Sequence, residues 1–102
     1  SDDVFRFNKN GTEIDIYPDF FRRAIIYSSD KIINYCVTLQ DQNTISIYLE
    51  LKKPANQQTI FDEVKKQINS ILFSFGVNDI NIVRVDLEHN QMLKFKRIRN
   101  EN

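Results

Sequence analysis

Basic residues crowd the end of the chain and are the first candidates for chemistry. Lys94, Lys96, Arg97 and Arg99 lie within six positions of one another. In an extended segment the two lysines project to one side and the two arginines to the other. Three interpretations are open: a charged edge strand that resists aggregation, a lysine offered to a phosphate or carboxylate on a partner surface, or a nucleic-acid contact with Phe95 between cations.

No complete catalytic constellation accompanies these cations. The sequence has no glycine-rich phosphate loop, no G-x-S-x-G motif and no His, Asp and Cys set. Its carboxylates are scattered, without the spacing of a paired general acid and base. Cys36 lies in an apolar strand pattern and is predicted to be a small core residue. His89 lies in a polar run and is predicted to be solvated, so no metal site is expected.

Length and composition indicate one small domain. The 102 residues include 14 Lys plus Arg and 14 Asp plus Glu, so the formal net charge is zero and no global field attracts nucleic acid or an anionic membrane. The single cysteine excludes an internal disulfide and favours a cytoplasmic setting. No apolar run is long enough to span a membrane, and no signal peptide is expected. A chain of this size is expected to be an accessory or binding module rather than an independent enzyme.

The chain opens with signals for a hairpin and a short helix. Val4 to Phe7 and Thr12 to Tyr17 form two strand patterns, and Asn10-Gly11 between them tolerates the positive φ angles of a tight hairpin turn. Pro18 suits the first turn of a helix, because its missing N–H is not needed there. That helix is predicted to end at Ser28-Ser29-Asp30.

Two strands, a longer helix and a third strand follow. Lys31 to Gln40 and Thr44 to Lys52 alternate apolar and polar residues, which predicts an antiparallel pair. Apolar residues then recur at helical spacing from about Thr59 to Phe75, with Thr59 as the predicted N-terminal cap. Gly76 is predicted to end this helix in a left-handed conformation. Ile80 to Leu87 is the next predicted strand.

The predicted fold class is therefore α+β. A small, mostly antiparallel sheet of about three main strands carries two helices, and a short N-terminal β-hairpin precedes it. The whole of 1–102 is expected to be a single domain. Two strand faces are also predicted: Ile33, Tyr35, Val37 and Leu39 on one strand, and Val83, Val85 and Leu87 on another.

The order of these motifs resembles a known family. Asp2-Asp3-Val4-Phe5, the hairpin that ends at Tyr17-Pro18, and the following Phe21-Arg22-Arg23-Ala24-Ile25 resemble the C-terminal lid domain of acyl-adenylating enzymes. The phenylacetate–coenzyme A ligase-like branch carries Gly-Lys-x-x-Arg near its end, and Leu93-Lys94-Phe95-Lys96-Arg97 aligns with that motif. Two positions differ: Leu93 replaces the family glycine, and Asn8-Lys9-Asn10-Gly11 replaces an Arg-Gly pair.

The resemblance implies a role for each matching residue. Asp2 or Asp3 would be the hinge on which the lid rotates, and Lys94 would be the catalytic lysine of adenylation. The hairpin tip, Asn8, Lys9, Asn10 and Gly11, would face the acceptor in the second half-reaction. A large N-terminal adenylation domain of the same chain would hold ATP with Mg and the carboxylic acid substrate, with coenzyme A as a candidate acceptor. The lid would bind no cofactor and have no activity alone.

Two other classes of function remain open. The chain could be a stand-alone α+β binding module that uses its basic tail on RNA or a protein, although zero net charge disfavours nucleic acid. It could instead be a structural or regulatory domain that pairs through a sheet edge.

Overall fold

A computed structural model describes residues 2–86 and 96–102. Across these residues the chain forms an N-terminal hairpin, two helices and a four-stranded sheet, which confirms the predicted α+β class. The elements, in chain order, are β1 (Phe5–Lys9), β2 (Thr12–Ile16), α1 (Pro18–Ser28), β3 (Ile32–Asp41), β4 (Thr44–Leu51), α2 (Gln57–Ser74), β5 (Asn81–Arg84) and β6 (Ile98–Asn100).

The hairpin has the predicted tight turn. Asn10 and Gly11 have φ angles of 53° and 79°, and β1 pairs with β2 in antiparallel register on either side of them. Phe5 is fully buried, and its ring centroid lies 4.6 Å from that of Phe21 on α1. The Gln42 side chain accepts from the Asn8 N–H at 2.7 Å and donates to a β1 carbonyl at 2.8 Å. The hairpin is therefore joined both to the first helix and to the turn between β3 and β4.

The larger sheet is mixed rather than mostly antiparallel. Its strand order is β5-β4-β3-β6, in which β3 and β4 are antiparallel as predicted, while the β4–β5 and β3–β6 pairings are parallel. Helix α2 explains why β4 and β5 are parallel. It carries the chain back across the sheet, so β5 begins at the same end of the sheet as β4 and runs in the same direction. The short strand β6, near the C-terminal end of the sequence, pairs with β3 at the opposite edge of the sheet from β5.

One core joins both sheets and both helices. Its fully buried members come from every element except β5, whose Ile82 is 4% exposed, so the described residues form one hydrophobic unit. The largest of them are Phe5, Phe7, Ile16, Phe21, Ile25, Val37, Leu39, Ile45, Ile47, Ile68, Leu72 and Ile98.

Two predicted strand faces were wrong in part. Ile33 is 54% exposed, because the pairing register shifts between Ile32 and Asn34 and a bulge there turns the side chain outward. On β5 the buried residue is Ile82, whereas Val83 is only half-buried. Ile82 pairs with the buried Ile45 of β4, and residues paired across a sheet share one face.

Helix α2 ends as predicted but begins differently. Gly76 has a φ of 79°, and the N–H groups of Gly76 and Val77 donate to Phe73 and Leu72 carbonyls at 3.0 and 2.8 Å. This is the Schellman arrangement that a glycine permits. The predicted cap, Thr59, is wrong: Asn56 precedes the helix, and its side chain accepts from the Thr59 N–H at 3.0 Å.

Replacing Asn56 with alanine should lower the free energy of unfolding by about 1 kcal/mol, because the Thr59 N–H loses its acceptor. The matched variant Thr59→Ala leaves that backbone donor in place and should cost less. Urea unfolding of both variants measures the difference. A larger loss for Thr59→Ala would contradict the assigned cap.

Candidate functional site

Strand β6 places the basic C-terminal segment against the core. Ile98 is fully buried and pairs with Val37 of β3. The Val37 N–H donates to the Arg97 carbonyl at 2.7 Å, and the Glu101 N–H donates to the Leu39 carbonyl at 2.9 Å. These bonds use the hydrogen-bonding groups on the side of β6 that faces β3. The N–H groups on the opposite side of β6 require other acceptors.

Asp2 supplies acceptors to that edge. One carboxylate oxygen accepts from the N–H groups of Arg97 and Ile98 at 3.0 and 3.2 Å. The other oxygen accepts from Nη1 of Arg22 on α1 at 2.6 Å. The Asp2 carboxylate is therefore surrounded by donors from the first helix and the last strand.

Asp3 makes the second set of contacts. Its Oδ2 accepts from the Asn100 N–H at 3.0 Å, and its Oδ1 pairs with Lys96 Nζ at 2.6 Å. Its own N–H donates to the Ile98 carbonyl at 2.9 Å, and Asn100 Nδ2 donates to the Val4 carbonyl at 3.0 Å. We refer to Asp2, Asp3 and residues 96–100 together as the terminal clasp.

Arg97 extends the clasp across the sheet. Its guanidinium carbon lies 5.3 Å from the centroid of the Tyr35 ring, and its Nη2 donates to Asn34 Oδ1 at 3.0 Å. Asn34 in turn donates to a Glu50 carboxylate oxygen at 2.9 Å. Burial raises the pKa of the Tyr35 hydroxyl, so the ring faces Arg97 in its neutral form at physiological pH.

The clasp should make stability fall in acid. The Asn100 N–H, and then Lys96, hold the pKa of Asp3 below its ordinary value of 3.8. The unfolded chain therefore takes up a proton at a higher pH than the folded protein does. The contribution of Asp3 is complete above 3.8 and is lost as the pH falls from there through the lowered folded pKa.

Urea unfolding from neutral pH down through 3.8 measures this dependence. Asp3→Asn cannot ionise, so its free energy of unfolding should depend less steeply on pH over the same range. Identical slopes for the variant and the parent chain would contradict the assignment.

The structure places the predicted site residues in two regions. Asp2 and Asp3, predicted as hinge residues, lie in the clasp against the segment that follows Lys94. The predicted catalytic Lys94 itself, like His89, lies outside the described residues. Cys36 is buried as predicted, and its Sγ lies 3.5 Å from the Lys96 carbonyl oxygen.

The hairpin tip is separate from the clasp. Asn8, Asn10 and Gly11 are exposed and Lys9 is half-exposed. Apart from its two chain neighbours, no described residue has an atom within 4 Å of the position that a Cβ on Gly11 would occupy, so the tip is open to solvent. Besides its place in the β1–β2 pairing, the tip is bonded to Gln42 through the Asn8 N–H.

Sequence reasoning missed the residues that complete these contacts. Arg22 and Asn100 were not identified as partners of the N-terminal aspartates, and Gln42 was not identified as an anchor of the hairpin. The one available signal was charge complementarity between Asp2-Asp3 and Lys96-Arg97. Opposite charges at distant positions do not by themselves identify a pair.

Several open clefts lie elsewhere on the described surface. One of about 590 Å³ runs along the end of β4, and one of about 230 Å³ lies between α1 and α2. The first is lined by Tyr48, Leu49, Glu50, Leu51, Lys53, Ala55, Gln57 and Asp86. Within residues 2–86 and 96–102, no group of three His, Cys, Asp or Glu residues is placed to hold a metal ion. Among the described helices, none has the length and apolar character to cross a membrane.

A scan against protein-family models and a search of curated proteins gave no match to this chain. The resemblance to the acyl-adenylating enzymes therefore depends on the residues and motifs of the sequence and on their order.

Proposed function

We propose that this chain is the mobile C-terminal lid domain of an AMP-forming acyl-activating ligase, without activity in isolation. The observation that carries the proposal is the terminal clasp. It brings the predicted hinge residues, Asp2 and Asp3, against residues 96–100, directly after the predicted catalytic Lys94. Rotation at such a hinge would move the segment that follows Lys94 together with the rest of the lid, toward the active site and away from it.

The chemistry assigned to Lys94 follows from charge. When a carboxylate attacks the α-phosphate of ATP, negative charge accumulates between two anions. A single cation that contacts both of them stabilises the transition state, and a lid can withdraw it afterwards. The resemblance to the acyl-adenylating enzymes implies that ATP, its metal ion and the carboxylic acid would be held by a large N-terminal domain of the same chain.

The hairpin tip would serve the second half-reaction. Residues 8–11 project into solvent, and Lys9 supplies a cation there. A solvent-facing cationic turn suits an anionic acceptor such as coenzyme A, whose phosphates it could contact. The proposal also places the parent enzyme in the cytoplasm.

Pyrophosphate exchange with ATP tests the role of Lys94 in the protein that contains this chain. Over a panel of carboxylic acids, Lys94→Ala should lower the exchange rate at least about a hundredfold, the scale of losing one transition-state charge contact. Lys52→Ala, which removes an exposed lysine distant from Lys94 in the sequence, should leave the exchange rate unchanged. Undiminished exchange in Lys94→Ala would show that the assigned role is wrong.

The mass of the native gene product tests the domain assignment. An antibody raised against this chain should detect a band several times heavier than its 12.1 kDa. A band near that mass would instead favour the alternative of a stand-alone module that binds RNA or a protein through its tail.

The clasp disfavours RNA within that alternative. Asp3 compensates the charge of Lys96, and the Arg97 guanidinium is held by Asn34 and the Tyr35 ring, so neither side chain is free to track a nucleic-acid backbone without breaking a contact. Titration with single-stranded RNA at low salt should show no binding.

A further inference from the structure

The terminal clasp joins two short segments, neither of which would be stable in its position without contacts to other parts of the chain. Strand β6 has three residues, and Ile98 is its one fully buried side chain. Residues 2–4 lie outside any helix or strand. Short strands are marginal in water, so β6 is stabilised both by its pairing with β3 and by its contacts with residues 2–4.

On the side of β6 away from β3, where the described residues form no further strand, the two carboxylates take the place of one. The N–H groups of Arg97, Ile98 and Asn100 donate to carboxylate oxygens of Asp2 and Asp3, where a strand would have offered carbonyls. Hydrogen bonds to an ionised acceptor are stronger than those between neutral groups. Two backbone carbonyls, those of Ile98 and Val4, accept bonds in return.

The same contacts hold the Lys96 side chain and the Arg97 backbone in place. Lys96 is held by Asp3, and the Arg97 backbone is held by Asp2 while its guanidinium lies over Tyr35. If residues 2–4 moved away, β6 would keep its pairing with β3 but would lose every donor–acceptor contact with the carboxylates.

We propose that the terminal clasp is a conformational latch, in which residues 2–4 must lie against β6 for Lys96 and Arg97 to be held in place. This deepens the proposed function and rests on it, since residues 2–4 would belong to the moving linker. Rotation at Asp2 or Asp3 would open the latch and release the segment that follows Lys94. The coupling is reciprocal, so an ordered β6 also favours the state in which residues 2–4 lie against it.

Hydrogen exchange on the 102-residue chain tests the latch directly. In Asp2→Ala/Asp3→Ala, the amides of Arg97, Ile98 and Asn100 should exchange at least about tenfold faster, because each loses a charged acceptor. Asp15→Ala is the matched control: it removes a carboxylate paired with Arg6 in the hairpin and should leave those three amides unchanged.

Unchanged exchange at the three amides would overturn the latch, and so would an equal increase along α2, which would indicate general destabilisation. If the double variant does not fold, Lys96→Met/Asn100→Ala removes two clasp contacts from half-exposed or exposed side chains. This second variant should accelerate exchange at the Asp3 amide, and protection equal to that of the parent chain would contradict the proposal.

The latch and the proposed function can fail separately. Faster exchange at β6 without any pyrophosphate exchange in the containing protein would retain the latch and reject the ligase assignment. Pyrophosphate exchange that depends on Lys94, with no change at β6 in the aspartate variants, would retain the ligase assignment and reject the latch.

Discussion

Phe21→Ala should lower the free energy of unfolding by about 3–5 kcal/mol, the range expected for truncation of a fully buried phenylalanine. Phe21 is 0% exposed and lies on the buried face of α1. Its ring centroid is 4.6 Å from that of Phe5, so the change leaves a cavity where the hairpin joins the helix. The loss therefore combines removed apolar burial, an empty volume and a broken aromatic contact.

Urea unfolding followed by far-ultraviolet circular dichroism measures this loss. Phe73→Ala on α2 is the matched control, because it makes the same chemical change at a side chain that is 75% exposed. The control should shift the free energy by less than about 0.5 kcal/mol. Similar losses for the two variants would mean that Phe21 is not the contact between the hairpin and the helix.

Ile98→Ala should lower the free energy of unfolding by about 2–5 kcal/mol. Ile98 is the fully buried side chain of β6, and it lies between β3 and residues 2–3, which bond to its carbonyl and its N–H. Truncation removes the apolar contribution that holds β6 in the core while leaving its hydrogen-bonding groups intact. The terminal clasp should weaken with it.

Ile33→Ala provides the strand control for this prediction. Ile33 lies on β3 but is 54% exposed, so the same truncation removes less burial there. Thermal unfolding should show a markedly larger decrease in Tm for Ile98→Ala than for Ile33→Ala. Equal decreases would indicate that β6 does not depend on its buried isoleucine.

The local elements could be predicted because their causes are local. A period of two in apolar residues predicts the β3–β4 pair, and the structure confirms its antiparallel register. Asn10-Gly11 and Gly76 adopt the positive φ angles that their residue types favour, and Pro18 begins α1. Each of these effects acts within a few residues, so it can be identified without knowledge of the rest of the chain.

Local sequence patterns predicted the wrong residue where backbone geometry or strand pairing selected between two suitable residues. Asn56, not Thr59, caps α2, because either residue type can accept the bond and only the backbone geometry chooses between them. Ile82 rather than Val83 enters the core, because both suit a strand and the register with β4 selects the face.

The sequence determined the α+β class, the approximate positions of the hairpin, the two helices and strands β3 to β5, and the resemblance from which Lys94, Asp2 and Asp3 were predicted as site residues. Only the tertiary structure decided that β6 runs parallel to β3 and that Asp2 and Asp3 complete its free edge. The partners in the clasp are separated by almost the whole chain. Such contacts form because packing brings the two ends of the chain together and because each unpaired N–H requires an acceptor. No local pattern in the sequence encodes which residue will supply that acceptor.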